Sequence, residues 1–277
     1  MFTPMMNKIV TALVVCCLWQ GVAFADVFQN KWGMTFVKIP AGEFNMGLAD
    51  REEALMEVPG TGEIADEGGL KDELPLHRVV ISKDFYMAKV EVNQHQWLEI
   101  MENKPGPEIN WQRDSWKQLP VVSTTWFMVK RFIEEINLLD KQYAYRLPTE
   151  AEWEYVAHAG SEELRPVPIE ELEDYAWFIH NSGDRTQPVG SKKPNPFGVH
   201  DMLGNVWEWV ADWYAADAYS LHELKDPIGP EKGLFKVRKG GSFHCPLHLM
   251  RPGYRGANHP ADAYAVTGFR LIAEIKP

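Results

Sequence analysis

The sequence predicts a loop-rich single domain of the α+β class, and three observations carry that reading. Three segments have helix start signals ahead of apolar residues at helical spacing; several short segments have strand character beside turn residues; and no linker, composition shift or internal repeat divides the chain. The 277 residues are 45% hydrophobic and 24% charged, a globular composition that excludes a disordered, collagen-like or disulfide-stapled chain. The 11 Trp, 21 Gly and 19 Pro point to many turns pinned by aromatic side chains.

Residues 32–47, with Met34-Thr35-Phe36-Val37-Lys38-Ile39 running into Pro40-Ala41-Gly42, read as strand and turn. From Asp50 to Glu73 the chain is acidic and Gly-rich without periodicity, which predicts an exposed loop. Strand character returns over His77–Val92 through Val79-Val80-Ile81 and Phe85-Tyr86-Met87. Asn93 with Gln96 forms a capping pair before Trp97-Leu98-Glu99-Ile100-Met101. Thr125 precedes Val129, Phe132, Ile133, Ile136 and Leu139, one apolar helix face. Thr149 and Glu152 make the clearest capping box, with Trp153, Val156 and Ala157 facing inward and Gly160 ending the helix. Beyond Gly160, prolines at 166, 168, 188, 194 and 196 predict mostly loop.

Residues 1–25 read as a secretory signal peptide: Lys8, an apolar run from Ile9 to Trp19, and Ala23-Phe24-Ala25 before Asp26. The run is too short to span a bilayer, which takes about 20 apolar residues. Val15 stands where a lipoprotein would need a small residue before Cys16, so no membrane anchor is expected. The domain then covers residues 27–277, in a periplasmic or secreted location. Lys and Arg number 28 against 39 Asp and Glu, a net charge of −11 that argues against a nucleic-acid partner. Cleavage removes Cys16 and Cys17 and leaves Cys245 as the single thiol. A lone cysteine in an oxidising compartment is either an inert core residue or one kept for its chemistry.

Five segments, in order, resemble the formylglycine-generating enzyme family, also called the sulfatase-modifying factor family. They are Phe36-Val37-Lys38-Ile39-Pro40-Ala41-Gly42-Glu43-Phe44-Asn45-Met46-Gly47; Pro75-Leu76-His77-Arg78-Val79 with Glu91-Val92-Asn93; Arg146-Leu147-Pro148-Thr149-Glu150-Ala151-Glu152-Trp153-Glu154-Tyr155; Asn195-Pro196-Phe197-Gly198 with Asp201-Met202-Leu203-Gly204-Asn205-Val206-Trp207-Glu208-Trp209; and Gly240-Gly241-Ser242-Phe243 with Gly268-Phe269-Arg270. The resemblance implies the formylglycine-generating-enzyme fold, C-type-lectin-like in its architecture. Members of this superfamily include copper-dependent oxidases that convert a sulfatase cysteine to formylglycine, enzymes that form C–S bonds, and siderophore-maturation proteins of the PvdO type, so fold alone does not fix function.

By the same resemblance, Asp201, the Gly204 and Val206 carbonyls, and Glu208 are candidate calcium ligands, a donor set that suits a hard cation. The alternative is that Asp201 caps a turn and Glu208 is a surface acid. Cys245, Ser242 and Trp207 are the candidate catalytic residues. The family's second copper-binding cysteine falls on Met250, a neutral and weaker soft ligand, and the asparagine before Gly-Phe-Arg is absent at Val266-Thr267. Copper held by Cys245 with His248 or Met250 is one reading; histidines with surface or hydrogen-bonding roles are the other. The second arginine of Arg251-x-x-Tyr254-Arg255 is expected to be a buried clamp. Three functions follow as alternatives: an exported oxidoreductase-like protein maturing a peptide or siderophore precursor; a copper-dependent oxidase converting a sulfatase cysteine to formylglycine; or a non-catalytic, calcium-stabilised binding module.

Overall fold

The computed structural model describes residues 26–49 and 70–276; the leader, Cys16, Cys17 and most of the acidic loop lie outside those residues. Within them the strands are β1 (Val27–Gln29), β2 (Thr35–Ile39), β3 (Gly42–Met46), β4 (His77–Ile81), β5 (Phe85–Ala88), β6 (Tyr143–Arg146), β7 (Trp207–Trp213), β8 (Lys236–Lys239), β9 (Gly256–Asn258), β10 (Thr267–Gly268) and β11 (Ile272–Ile275). The three longer helices are α1 (Gln94–Met101), α2 (Trp126–Leu139) and α3 (Glu150–His158). The strands form a five-stranded sheet in the order β1-β2-β5-β11-β6, a four-stranded sheet β10-β7-β8-β9, and the pair β3-β4. Only β10 and β7 pair in parallel; the other named strand pairs are antiparallel.

The helix starts form as their sequences dictate. Asn93 accepts from the Gln96 amide while the Gln96 side chain returns to Asn93 N–H, and Thr149 and Glu152 do the same for α3. Thr125 caps α2 by accepting from Met128 N–H. α3 ends on two left-handed residues, Ala159 and Gly160, rather than on the glycine alone. Thr149→Ala removes one partner of an orphan amide and is expected to lower stability by about 1 kcal/mol, read as a shift in the urea midpoint without a change of slope.

Val129, Phe132, Ile133 and Ile136 bury the apolar face of α2 with Trp97 and Phe269, whereas Leu139 at the helix end is exposed. A second core joins Trp153, Val156 and Ala157 of α3 to strands β2 to β5 and to Val210 and Val237. The chain beyond Gly160 is mostly turn and loop, as read, yet it carries five of the eleven described strands, four of which form the sheet that frames the candidate site. Among the described residues no helix is long and apolar enough to cross a membrane.

Candidate functional site

Cys245 lies just past β8 on a turn that begins at Gly240 and Gly241, both at positive φ. A β-carbon at Gly241 would stand 2.1 Å from Met250 Cε, so only glycine lets that side chain fold back under the turn. Cys245 and Met250 then pack with Trp207, Leu203 and Phe178, with Tyr254 and Val266 alongside. Ser242 Oγ lies 3.2 Å from Cys245 Sγ. The thiol is free, and its residue is 8% exposed, a largely covered group just beneath the surface. Cys245, Ser242 and Trp207 are thus brought together, all three of them buried.

Of the copper candidates, Met250 packs in the same cluster as Cys245, and His248 is buried in the short helical turn Leu247–Leu249 that separates the two in sequence. His244 is exposed and bonded to Asp184. Met250 is fully buried and supplies a thioether where paired-thiolate chemistry needs a second thiolate. Among the described residues no group of three or more His, Cys, Asp or Glu side chains converges to hold a metal.

The residues assigned to calcium also have other work. Glu208 forms a two-pronged ion pair with Arg270, Nε to Oε2 at 2.6 Å and Nη2 to Oε1 at 2.6 Å, and accepts from Trp153 Nε1 at 2.8 Å. Arg270 further donates to the carbonyls of Ala88, His200 and Asp201. The guanidinium therefore already supplies the positive charge that Glu208 would seek in a cation, and Glu208 is neither a surface acid nor a free ligand. Gly204 is needed for packing: a β-carbon there would meet the Trp177 carbonyl oxygen at 2.2 Å. Val206 packs against Gly268. Asp201 accepts from Gly190 N–H through one oxygen and keeps the other unpartnered, as does Glu91 beside it. Burial, then the neighbouring Asp201 charge, pushes the Glu91 carboxyl well above the usual range. A cation at this place would have to share the Glu208 carboxylate with Arg270.

Both arginines of the Arg251-Tyr254-Arg255 stretch are clamps. Arg251 grips Glu73 through Nε and Nη2. Arg255 grips Glu150 with Nε to Oε1 at 2.7 Å and Nη2 to Oε2 at 3.0 Å. Lys239 joins Glu150 and Glu154 in the same buried network. These ties hold the Cys245 turn against α3.

Sequence reasoning missed Arg238. Its guanidinium carbon lies 4.6 Å from the centroid of the Trp207 ring, and Nη1 donates to Thr267 Oγ1 at 3.1 Å. Thr267 belongs to the Val266-Thr267 stretch that lacks the family's asparagine. In Lys236-Val237-Arg238-Lys239 a basic side chain reads as solvent-facing, and only the β7–β8 register, with Trp209 opposite Arg238, puts it diagonal to Trp207 on one face.

Known proteins with the same layout agree. The model of the sulfatase-modifying factor enzyme 1-like (FGE-sulfatase) domain matches residues 23–275. The serine/threonine-protein kinase pkn1 of Chlamydia pneumoniae is 33% identical over 229 residues, covering 75% of this chain and 35% of that protein. The chain thus spans about a third of that relative's length. The formylglycine-generating enzyme of Streptomyces coelicolor is 28% identical over 238 residues, covering 77% of this chain and 72% of the enzyme. The structure of PvdO from Pseudomonas aeruginosa superimposes with a TM-score of 0.76 at 29% identity, covering 90% of this chain and 98% of PvdO. With its motifs in order, its sheets and its near-complete match to the domain model, the chain belongs to the sulfatase-modifying factor enzyme 1-like domain family and has the formylglycine-generating-enzyme fold.

Proposed function

We propose that this chain is an exported, PvdO-like member of the family that matures a peptide or siderophore precursor in the periplasm through oxidoreductase-type chemistry, rather than converting a sulfatase cysteine to formylglycine. The observation that carries this reading is the pairing of one thiol with one thioether. Cys245 has Ser242 as its hydrogen-bonding neighbour, and the second thiol position is the buried, uncharged Met250. A thioether cannot be deprotonated or enter thiol–disulfide exchange, so chemistry that needs two thiolates has lost a participant. The likeness to PvdO over most of both chains supports the choice of substrate class.

In this reading Cys245, 8% exposed, is the group the substrate reaches, with half-buried Tyr254 close by; Ser242 and Trp207 are buried, and the Arg251 and Arg255 clamps keep the cluster in place. Two measurements test it. A Cys-x-Pro-x-Arg peptide incubated with the copper-loaded protein and oxygen is expected to keep its mass; conversion to the aldehyde would restore the sulfatase reading. Cells lacking the protein are expected to accumulate unmatured precursor, and a Cys245→Ser copy should fail to clear it. Full maturation with Cys245→Ser would reject the thiol's role.

A further inference from the structure

We propose that Arg113 and Arg185 form an anion-recognition site on the rim of the Cys245 turn, and that its ligand is a pair of neighbouring carboxylates on a peptide. This rests on the reading that a peptide substrate reaches Cys245, and it names what that peptide must carry.

The segment 182–189 brings the two arginines together, and it is fastened on two sides. One side is tied to the Cys245 turn. Ser182 Oγ donates to the Phe243 carbonyl at 2.8 Å, and Asp184 is bonded to His244. Just ahead of the segment, Ile179 N–H donates to the Cys245 carbonyl at 3.2 Å. The other side is tied to residues 113–118. Val189 N–H donates to the Gln118 carbonyl at 2.8 Å, and Arg113 Nη1 donates to the Thr186 carbonyl at 2.8 Å and to its Oγ1 at 3.3 Å. The Arg113 guanidinium is thereby held on the residue that follows Arg185. Gly183 and Asp184, both at positive φ, turn the chain. A β-carbon at Gly183 would stand 4.0 Å from Arg185 Nε, so the Arg185 side chain folds back over the turn that carries Asp184 to His244.

Both forks are open to solvent and neither meets an acid. Arg185 is exposed and bonds nothing among the described residues. Arg113 is half-buried; its Nε and Nη2 are unbonded among those residues, yet neither is sealed from solvent. The acids nearest in sequence do not neutralise the pair: Asp184 is turned to His244, and Asp114 pairs with neither arginine. Arg78 and Arg131, likewise exposed, are each held by a glutamate. Burial first, and then the like charge of Arg185, pulls the Arg113 guanidinium below its ordinary value. In a chain of net charge −11, two adjacent cations without a counterion repel each other, and a bound anion removes that repulsion.

The donors select the ligand. A phosphate would call on backbone amides for its remaining oxygens. Here the amides of residues 182, 184, 187, 189 and 190 are already spent on Phe178, Ser182, Asn205, Gln118 and Asp201. What remains is two planar guanidinium groups, each matched to one carboxylate. The ligand is therefore a peptide with two neighbouring acids, placed so that an adjoining part of it lies over the Cys245 turn.

The test is a titration of the full chain, labelled with 15N-arginine, with two peptides that differ only in charge. Acetyl-Gly-Glu-Glu-Gly-amide is expected to shift the Arg113 and Arg185 resonances, and acetyl-Gly-Gln-Gln-Gly-amide to leave them in place. Arg185 is exposed, so Arg185→Gln keeps the fold and should weaken binding of the acidic peptide about fivefold, while Arg185→Lys should keep most of it. Inorganic phosphate at matched ionic strength should not displace the peptide. Equal shifts with both peptides, a change below about twofold in Arg185→Gln, or displacement by phosphate would overturn the site. Full maturation with Cys245→Ser would reject the thiol and leave this binding untouched, and the loss of selectivity here would leave the thiol standing, so the two claims are separable.

Discussion

Arg270→Leu is expected to destabilise the protein by about 3–5 kcal/mol, because it strands a buried carboxylate. Arg270 and Glu208 are at most 1% exposed, and each prong of their pair is 2.6 Å long. Removing the cation leaves Glu208 with only the Trp153 indole N–H and also frees the carbonyls of Ala88, His200 and Asp201. Urea unfolding followed by tryptophan emission measures the loss. Pairing the change with Glu208→Leu should recover part of it, since two apolar side chains leave no naked charge. A loss under about 1 kcal/mol for Arg270→Leu alone would mean that Glu208 has another counterion, as a cation held by the candidate calcium ligands would supply.

Acid is expected to remove roughly 3 kcal/mol of stability through Glu150 alone. Burial by itself would raise this carboxyl, but Arg255 and Lys239 outweigh burial and hold it at about 2, against a usual value of 4.5. The sign follows from the depressed value. Glu150 contributes its full stabilisation above about pH 4.5 and loses it as the pH falls toward 2, at about 1.4 kcal/mol for each pH unit between those two values. Glu150→Gln leaves Arg255 and Lys239 without that charge at neutral pH and so is destabilising there. The gap in unfolding free energy between wild type and Glu150→Gln should therefore narrow by that amount between about pH 5 and about pH 2. A gap that stays constant would show that Glu150 titrates normally and that its clamps carry little.

Local signals were legible and long-range ones were not. Asn93, Gln96, Thr149 and Glu152 announce helix starts because both partners of each cap lie three residues apart. β7 was hidden because Trp207 to Val210 are all buried, which erases the alternation that marks a half-exposed strand. β8 was hidden because Lys236 and Lys239, charged residues in a short run, are buried in it. Lys236 covers the Trp126 and Trp213 rings, and Lys239 meets Glu150 and Glu154. Glu208 pairs 62 residues away, a contact that no spacing rule reports and that a local motif makes look like a ligand. Cys245, Ser242 and Trp207 were candidates because a family pattern carried them; Arg238 lay outside that pattern and needed the sheet register to be seen.

The position of β11 governs when this molecule can begin to exist as a folded object. β11 lies between β5 and β6 in the larger sheet, pairing with Met87 and Tyr86 on one flank and with residues 143–146 on the other. Synthesis delivers those flanks well over a hundred residues before the strip that must slide between them, so the early half waits with a vacant slot. Throughout that interval the polypeptide is long, unsettled and open to capture, and its assembly is bound to be a late, all-together event that any holding factor could postpone.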